Sequence, residues 1–414
     1  MKHLYATFLF VLVAIPQLMA QKNLLYKLLH HNAGLFGDVL REPGKYNVQV
    51  IYTQIDRDGN NFPRLTSHTW RLDEKQYYYP ASTVKMPIAI LALEKINHLK
   101  IKGLDRNTPL FNLAGSPPQT AAVTDTTSAT GLPSVAHYAK KIFLVSDNDA
   151  SNRLYEFLGQ AQLNEALWAK GFNNVKITHR LGITGFDEMA NRHTNPVRFA
   201  EGETLYYHQG EVYGQALLDF RLKGTQLGKG YYEDGQLVNA PFDFSKKNYI
   251  SLQVQHDILL SVIFPEAVPA HRRFDLTAED YRFLYQVMSE LPGESRRPDY
   301  SGKPDHYVKF FLFGDRKEDE KMPANVRVFN KVGWAYGFLT DVAYIVDFDA
   351  GTEFFLAATI QVNENGIFND DKYEYETVGL PFLANLGRVV YEHDRQRKRK
   401  NRPDLSKFKI DNYD

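Results

Sequence analysis

Apolar and polar residues alternate in strand-like runs near both ends of the chain. Residues 46–52 and 66–71 alternate in this way and are rich in β-branched and aromatic side chains. Toward the other end, residues 326–329, 342–346 and 354–360 are three further strand-like runs. The pattern predicts a sheet to which both ends of the chain contribute strands.

Helical spacing of apolar residues dominates the middle of the chain, from about residue 82 to residue 222. It is strongest in residues 86–96, 149–158 and 163–168. Further helices are predicted at residues 23–29, 276–291 (with Thr277 as N-cap) and 381–391. Helices between two groups of strands indicate a helical lobe inserted into a sheet lobe, with a cleft between them where a site would lie.

The expected domain boundaries follow from these patterns. Glycine is frequent in residues 224–239, which predicts a loop there. The units are a sheet lobe of about residues 24–81 and 300–390, a helical lobe of about 82–240, a probable insertion at about 224–297, and a charged, solvated tail at 391–414.

Composition and the first residues bear on location and partners. The 414 residues include 49 Lys and Arg against 49 Asp and Glu, and this balance gives no sign of a nucleic-acid partner. Residues 1–20 combine Lys2 with a short apolar run, which predicts a secretory signal peptide; an uncleaved anchor or a buried helix is the alternative. Cysteine is absent, which excludes a thiol nucleophile, a zinc–thiolate site and a lipid anchor. We expect a secreted or periplasmic protein without a stable membrane anchor.

The first chemical motif is S-x-x-K, formed by Ser82 and Lys85 at a predicted helix start. Three-residue spacing puts both side chains on one helix face. A serine hydroxyl becomes nucleophilic when a neighbour accepts its proton, and a lysine with a lowered pKa can be that neighbour. An N-cap serine followed by a solvent-facing lysine would have the same spacing. The aromatic strand before Ser82 and the apolar helix after Lys85 favour the chemical interpretation.

The second motif is Ser146-Asp147-Asn148, in a predicted turn between two helices. A hydroxyl such as that of Ser146 can relay a proton to a leaving nitrogen. The amide of Asn148 can donate to a substrate carbonyl and accept from a lysine. All three residue types also cap helices well, so helix capping is the alternative.

The third motif, Lys331-Val332-Gly333-Trp334, follows a strand-like run and precedes a predicted hairpin turn at residues 337–340. Lys331 would present a charge to an acidic substrate group. Gly333 would let the strand backbone approach a ligand, and the N–H of Trp334 would join that of Ser82 in stabilising an oxyanion. A lysine that protects an edge strand from aggregation is the alternative.

Together, in this order, the motifs are typical of serine acyl-transfer enzymes, and the chain resembles the class A β-lactamase-related serine hydrolases. The resemblance covers about residues 24–390, and it implies no metal or organic cofactor. The implied fold is α/β (α+β), β-lactamase/transpeptidase-like, with an antiparallel sheet flanked by helices and an inserted all-helical domain. The implied roles are nucleophile for Ser82, base for Lys85, proton relay for Ser146, substrate ligand for Asn148 and carboxylate counter-ion for Lys331.

Two departures from this family concern substrate recognition and turnover. The family usually has Thr or Ser where this chain has Val332, which cannot donate a hydrogen bond. The glutamate that activates the deacylating water has no clear counterpart. His179 and Arg180 lie near its place, and Asp187 and Glu188 are the candidate water-activating residues.

Three functions therefore remain open. The first is an exported serine hydrolase that cleaves a β-lactam or a related cyclic or peptidic amide. The second is a peptidoglycan D,D-peptidase or penicillin-binding type of enzyme with slow deacylation. The third is a non-catalytic binding protein with the same fold. We expect a monomer with a small-molecule substrate.

Overall fold

The computed structural model describes residues 24–216, 218 and 220–413, and the predicted signal peptide lies outside them. Within these residues, no helix is long and apolar enough to cross a membrane. The helices are α1 (Leu24–His31), α2 (Gly37–Arg41), α3 (Lys85–Leu99), α4 (Val135–Val145), α5 (Asn148–Leu158), α6 (Gln160–Ala169), α7 (Glu188–Arg192), α8 (Leu252–Ile263), α9 (Ala278–Ser289) and α10 (Leu380–Gln396).

Long strands come from the two ends of the chain and short strands from its middle. The strands are β1 (Gln49–Arg57), β2 (Pro63–Trp70), β3 (Leu110–Asn112), β4 (Val175–Lys176), β5 (His193–Thr194), β6 (Val197–Glu201), β7 (Thr204–Gln209), β8 (Val212–Tyr213), β9 (Gln226–Leu227), β10 (Gly230–Glu233), β11 (Gln236–Val238), β12 (Phe242–Asp243), β13 (Tyr249–Ile250), β14 (Val326–Ala335), β15 (Phe338–Asp347), β16 (Thr352–Gln361) and β17 (Ile367–Phe368).

One antiparallel sheet of five strands, in the order β14-β15-β16-β1-β2, organises the molecule. It joins the two ends of the chain, with Val50 opposite Ala358, as the alternating runs predicted. Strand β14 lies at the edge of this sheet, and its hairpin with β15 turns at Tyr336 and Gly337. Both turn residues have positive φ, of 54° and 76°, as two-residue hairpin turns of type I′ require. The turn is therefore earlier than the predicted 337–340.

Each face of the sheet is covered by helices, because successive strand residues point to opposite faces. On one face, Leu25 of α1 and Leu383 of α10 pack with Val328 and Leu356. On the other face, Leu259 of α8 and Leu284 of α9 pack with Phe329 and Phe355. The result is a sheet between two helical layers.

Helices α3, α4 and α5 build the helical lobe beside the sheet. Helix α3 is apolar on nearly all sides, from Met86 to Ile96, and its residues are accordingly buried. A helix buried all round occupies the centre of its lobe. This placement holds Lys85, the first residue of α3, inside the protein.

The helical lobe is shorter than the pattern predicted. Its long helices end at Ala169, and the stretch to about residue 222 that was expected to be helical holds, in its described residues, short strands and the short helix α7. The lobe inserted into the sheet, about residues 82–240, is therefore not all-helical. In the predicted insertion at 224–297, strands β9 to β13 come first. Helices α8 and α9 follow them and pack on the main sheet.

The C-terminal residues are not a solvated tail. Helix α10 continues to Gln396, where the tail was expected from residue 391. Beyond it, the side chains of Leu405 and Phe408 are buried, and the Phe408 ring lies 4.9 Å from that of Tyr344. The guanidinium of Arg399 pairs with buried Asp394. Arg399 thus ties the residues that follow α10 to the buried end of that helix.

Candidate functional site

Ser82 lies in a tight turn between an aromatic segment and helix α3. Residues Ala81–Val84 form one turn of 3₁₀ helix, and the Thr83 hydroxyl donates to the Pro80 carbonyl at 2.7 Å. Ala81 has a φ of 47°, a conformation that costs about 1–3 kcal/mol for a residue with a Cβ. In a 3₁₀ turn, residues three apart are aligned, so Ser82 and Lys85 share a face.

Lys85 is buried beneath this turn and directed at the second motif. Its ammonium donates to the backbone carbonyl of Ser146 at 2.5 Å and to Oδ1 of Asn148 at 2.6 Å. The Ser146 hydroxyl lies 3.4 Å from the same nitrogen. Burial lowers the pKa of Lys85 to about 7, although the negative charge of Asp147 opposes the shift. A lysine with such a pKa is half neutral at neutral pH and can accept a proton.

The second motif occupies the turn between α4 and α5, as predicted. Ser146 ends α4 with a φ of 58°, which is unusual outside glycine. Asp147 begins α5 by accepting a hydrogen bond from the N–H of Ala150 at 2.8 Å. The motif therefore does cap a helix, but Asp147 is the residue that caps α5. Ser146 and Asn148 remain free to meet Lys85.

Lys331 reaches the same hydroxyl from the sheet lobe. Its ammonium donates to Oγ of Ser146 at 2.8 Å and to the backbone carbonyl of Val332 at 2.8 Å. Burial, followed by the positive charge of Lys85, holds the pKa of Lys331 well below its ordinary value. The Ser146 hydroxyl therefore lies between two lysine ammoniums and still has its own proton to donate.

Gly333 lets strand β14 touch the Ser82 turn. A Cβ at this position would lie 2.4 Å from the Pro80 carbonyl oxygen and 2.9 Å from the backbone nitrogen of Ser82. Both distances are shorter than nonbonded contact allows. Gly333 was expected to let the strand approach a ligand. In the structure it lets the strand approach the backbone of the Ser82 turn instead.

A cavity of about 490 Å³ opens in front of these groups. The residues that line it are Tyr79, Ala81, Ser82, Val145, Ser146, Asn148, Leu181, Gly182, Tyr307, Trp334, Ala335 and Tyr336. Four predicted site residues are among them, namely Ser82, Ser146, Asn148 and Trp334. Lys85 and Lys331 are buried behind Ser146, and Gly333 lies under the Ser82 turn.

Comparison with known proteins supports the resemblance seen in the motifs. Residues 40–215 match the model of the Beta-lactamase enzyme family, a stretch that includes Ser82, Lys85, Ser146 and Asn148 and ends before Lys331. Over these residues the chain is similar to the β-lactamase enzyme family. Its architecture is the β-lactamase/transpeptidase-like fold that the resemblance implied. Among curated protein sequences, none matches the chain.

Solved structures similar to this chain include two β-lactamases and a PBP-A. The Chitinophaga pinensis β-lactamase has 12% identity and a TM-score of 0.46, with 84% of this chain and 93% of the other covered. The Streptomyces albus G β-lactamase has 13% identity and a TM-score of 0.45, with 89% and 99% covered. The structure of PBP-A has 15% identity and a TM-score of 0.47, with 84% and 89% covered.

The two carboxylates expected to activate water do not line the cavity. Both side chains are exposed. Asp187 caps helix α7 by accepting from the N–H of Ala190 at 2.7 Å, and Glu188 pairs with Lys246 at 2.9 Å. Helix capping and a surface ion pair account for their positions, so the sequence-based expectation for Asp187 and Glu188 is not supported.

His179 and Arg180 have structural roles. The His179 ring bonds the Arg180 carbonyl through Nδ1 at 2.6 Å, and its Nε2 accepts from the N–H of Asn248 at 3.2 Å. Burial lowers the pKa of His179 to about 4, so its ring is neutral at pH 7. The Arg180 guanidinium is buried against Glu156 at 3.0 Å. These contacts fix the start of the 181–186 loop.

Part of the cavity lining comes from that loop and from residues that the motifs did not include. Gly182 has a φ of 60° and packs on Asn148, whose Nδ2 would lie 2.2 Å from a Cβ at position 182. Tyr79, Tyr307 and Tyr336 complete the lining. The closely spaced Gly182 and Gly185 were a visible signal of a sharp loop, but nothing local linked Tyr307 to the site.

Acylation of Ser82 is expected to depend on pH with a midpoint near 7. A Lys85 that serves as the base for Ser82 must be neutral to accept a proton, and its neutral fraction grows as pH rises through its pKa of about 7. The acylation rate constant for benzylpenicillin should therefore rise between about pH 6 and pH 8 and then level off. Intact-mass measurements of the Ser82 adduct across this range test it. A rate that still rises toward the ordinary lysine pKa of 10.5 contradicts it.

Proposed function

We propose that this protein is an exported serine hydrolase that is acylated at Ser82. The observation that carries the proposal is the continuous hydrogen-bonded array from Lys85 through Ser146 to Lys331, directly behind the cavity that Ser82 lines. The family match supports β-lactamase-like hydrolase chemistry. The substrate we propose is a small molecule, a β-lactam or a related cyclic or peptidic amide, and the enzyme acts as a monomer.

The proposed reaction begins when Lys85 accepts the Ser82 proton. Ser82 Oγ then bonds to the substrate carbonyl carbon, and the N–H groups of Ser82 and Trp334 stabilise the oxyanion. Collapse of this intermediate breaks the C–N bond, and the proton passes from Lys85 through the Ser146 hydroxyl to the leaving nitrogen. Lys331 holds the Ser146 hydroxyl in place by donating to it. Water later cleaves the ester and restores Ser82.

Export is part of the proposal and rests on sequence. The charged start and short apolar run of residues 1–20 support a cleaved signal peptide. The chain has no cysteine to carry a lipid, so the proposal includes no lipid anchor.

A second candidate, a penicillin-binding type of enzyme with slow deacylation, is favoured by the cavity itself. Among the described residues that line it, none carries a carboxylate. Deacylation needs a group that takes a proton from water, and the acyl-enzyme persists without one. Gly182 forms part of the wall and has no side chain to supply this group.

Time-resolved intact mass with benzylpenicillin tests both candidates. We expect an adduct on Ser82 that outlasts removal of free penicillin, because no carboxylate lines the cavity. Ser82→Ala should form no adduct, whereas Ser406→Ala, in the other S-x-x-K sequence of the chain, should react normally. Fast disappearance of the adduct would favour a β-lactamase, and absence of any adduct on folded protein would contradict both candidates.

A further inference from the structure

The cavity beside Ser82 has an aromatic wall, formed by Tyr79, Tyr307, Trp334 and Tyr336. The Tyr79 and Tyr336 rings meet edge to face at 5.0 Å. The Trp334 ring meets that of Tyr307 in the same manner at 6.2 Å. Aromatic rings bury large apolar areas and stack well on other rings. The wall therefore favours a flat apolar group in the substrate.

Two residues of the segment 224–297 hold part of this wall in place. The Phe242 and Phe244 rings lie 5.7 Å and 5.4 Å from the ring of Tyr336. Phe244 is fully buried and also lies 6.0 Å from the ring of Tyr79. The wall is thus formed before a ligand enters, which reduces the entropy cost of binding.

Formal charge is absent from the described residues that line the cavity. Lys331, the predicted carboxylate counter-ion, is only 2% exposed and directs its ammonium at the Ser146 hydroxyl and the Val332 carbonyl. Lys303 lies over the Tyr307 ring at 4.7 Å but does not line the cavity. A carboxylate that entered would lose water without gaining an ion pair, which is costly.

The strands beside Lys331 supply no hydroxyl for a carboxylate either. The Val332 side chain is fully buried among the core residues of the sheet face that α1 and α10 cover. The Thr340 hydroxyl is also buried, and it donates to the Thr359 hydroxyl at 2.9 Å. The groups beside the K-x-G motif are thus committed to the protein interior.

We propose that the acyl donor preferred at Ser82 carries no carboxylate beside its scissile carbonyl and presents an aromatic group to the wall of Tyr79, Tyr307, Trp334 and Tyr336. This inference rests on the proposed function of Ser82. It narrows the substrate to neutral aromatic amides or similarly activated carbonyl compounds. It also separates this site from sites that anchor an anionic β-lactam or a peptide C-terminus by charge.

A matched pair of substrates tests the charge preference in the wild-type protein. Acylation of Ser82 is measured by intact mass with benzylpenicillin and with its methyl ester. Each rate constant is divided by the alkaline hydrolysis rate of the same compound, which removes the difference in intrinsic reactivity. We expect the ester to react at least about tenfold faster, because no ion pair compensates the desolvated carboxylate.

The possible results separate this inference from the proposed function. An ester advantage below tenfold, or an advantage of the acid, overturns the inference while an adduct on Ser82 still supports the proposed function. Failure of both compounds to acylate folded protein overturns both. The protein needs no substitution for this comparison, so misfolding cannot obscure it.

Two variants of Tyr336 test the aromatic part. Tyr336→Ala should lower the ester's acylation rate constant by about tenfold through lost ring contacts, whereas Tyr336→Phe, which keeps the ring, should lower it much less. Circular dichroism confirms that each variant is folded before the rates are compared. A folded Tyr336→Ala protein that reacts as fast as Tyr336→Phe overturns the role of the wall.

Discussion

Lys85→Met is expected to slow acylation of Ser82 by benzylpenicillin by about 10³-fold, the scale on which a positioned general base contributes. Methionine fills a similar volume but cannot take the Ser82 proton. The Ser146 carbonyl and Asn148 Oδ1 lose a donor, which destabilises the protein, while removal of a buried ammonium acts in the opposite direction. Stopped-flow or quenched intact-mass measurements give the rate constant.

Lys95→Met is the matched control for this variant. Lys95 belongs to the same helix, and its ammonium also donates to a backbone carbonyl and a side-chain amide, those of Phe157 and Gln209, at 2.6 and 2.7 Å. Burial lowers its pKa to about 8. It does not line the cavity, so acylation should continue at the wild-type rate. Equal slowing in both variants, or none in Lys85→Met, would contradict the role of Lys85 as base.

Gly333→Ala is expected to reduce the acylation rate constant by about 10²-fold, the cost of misplacing reacting groups by roughly 1 Å. The new Cβ would meet the Pro80 carbonyl at 2.4 Å and the Ser82 nitrogen at 2.9 Å. Strand β14 cannot retreat freely because Gly333 is paired with Thr340 in β15. The Ser82 turn must therefore shift away from its position over Lys85.

Gly59→Ala provides the comparison, because nothing lies within 4 Å of a Cβ at position 59 and its φ is not left-handed. Both variants are assayed well below their melting temperatures, so that unfolding does not contribute to the rate. A Gly333→Ala protein that is acylated as fast as Gly59→Ala would show that close contact between β14 and the Ser82 turn does not position the nucleophile.

The main elements of the fold and much of the site could be predicted because their signals are local. The largely apolar run of residues 354–360 predicts a buried strand from its own sequence. Ser82 and Lys85 are three residues apart, so helix geometry alone puts them together. The chemistry that serine hydroxyls and lysine amines can perform likewise follows from the residue types alone. These parts needed no long-range information beyond the order of the three motifs.

Predictions about residues 170–222 and 391–414 failed for a physical reason. The helical pattern predicts helices beyond Ala169, but the segment that follows contributes short strands to several small sheets. Strand pairing between distant residues overrides weak local preference. The charged residues at the C-terminus predict a tail exposed to solvent. The buried side chains of Asp394 and Phe408 show that the segment packs on the sheet lobe.

By itself, the sequence determined the helices and strands of strong periodicity and the set of reactive groups, because spacing and side-chain chemistry are properties of short segments. Only the tertiary structure decided which groups face the cavity. The Val332 side chain points into the core, and those of Asp187 and Glu188 lie at the surface. Tyr307 and Tyr336 line the same cavity as Ser82. Those directions depend on sheet register and on contacts between residues far apart in the chain, which no short segment encodes.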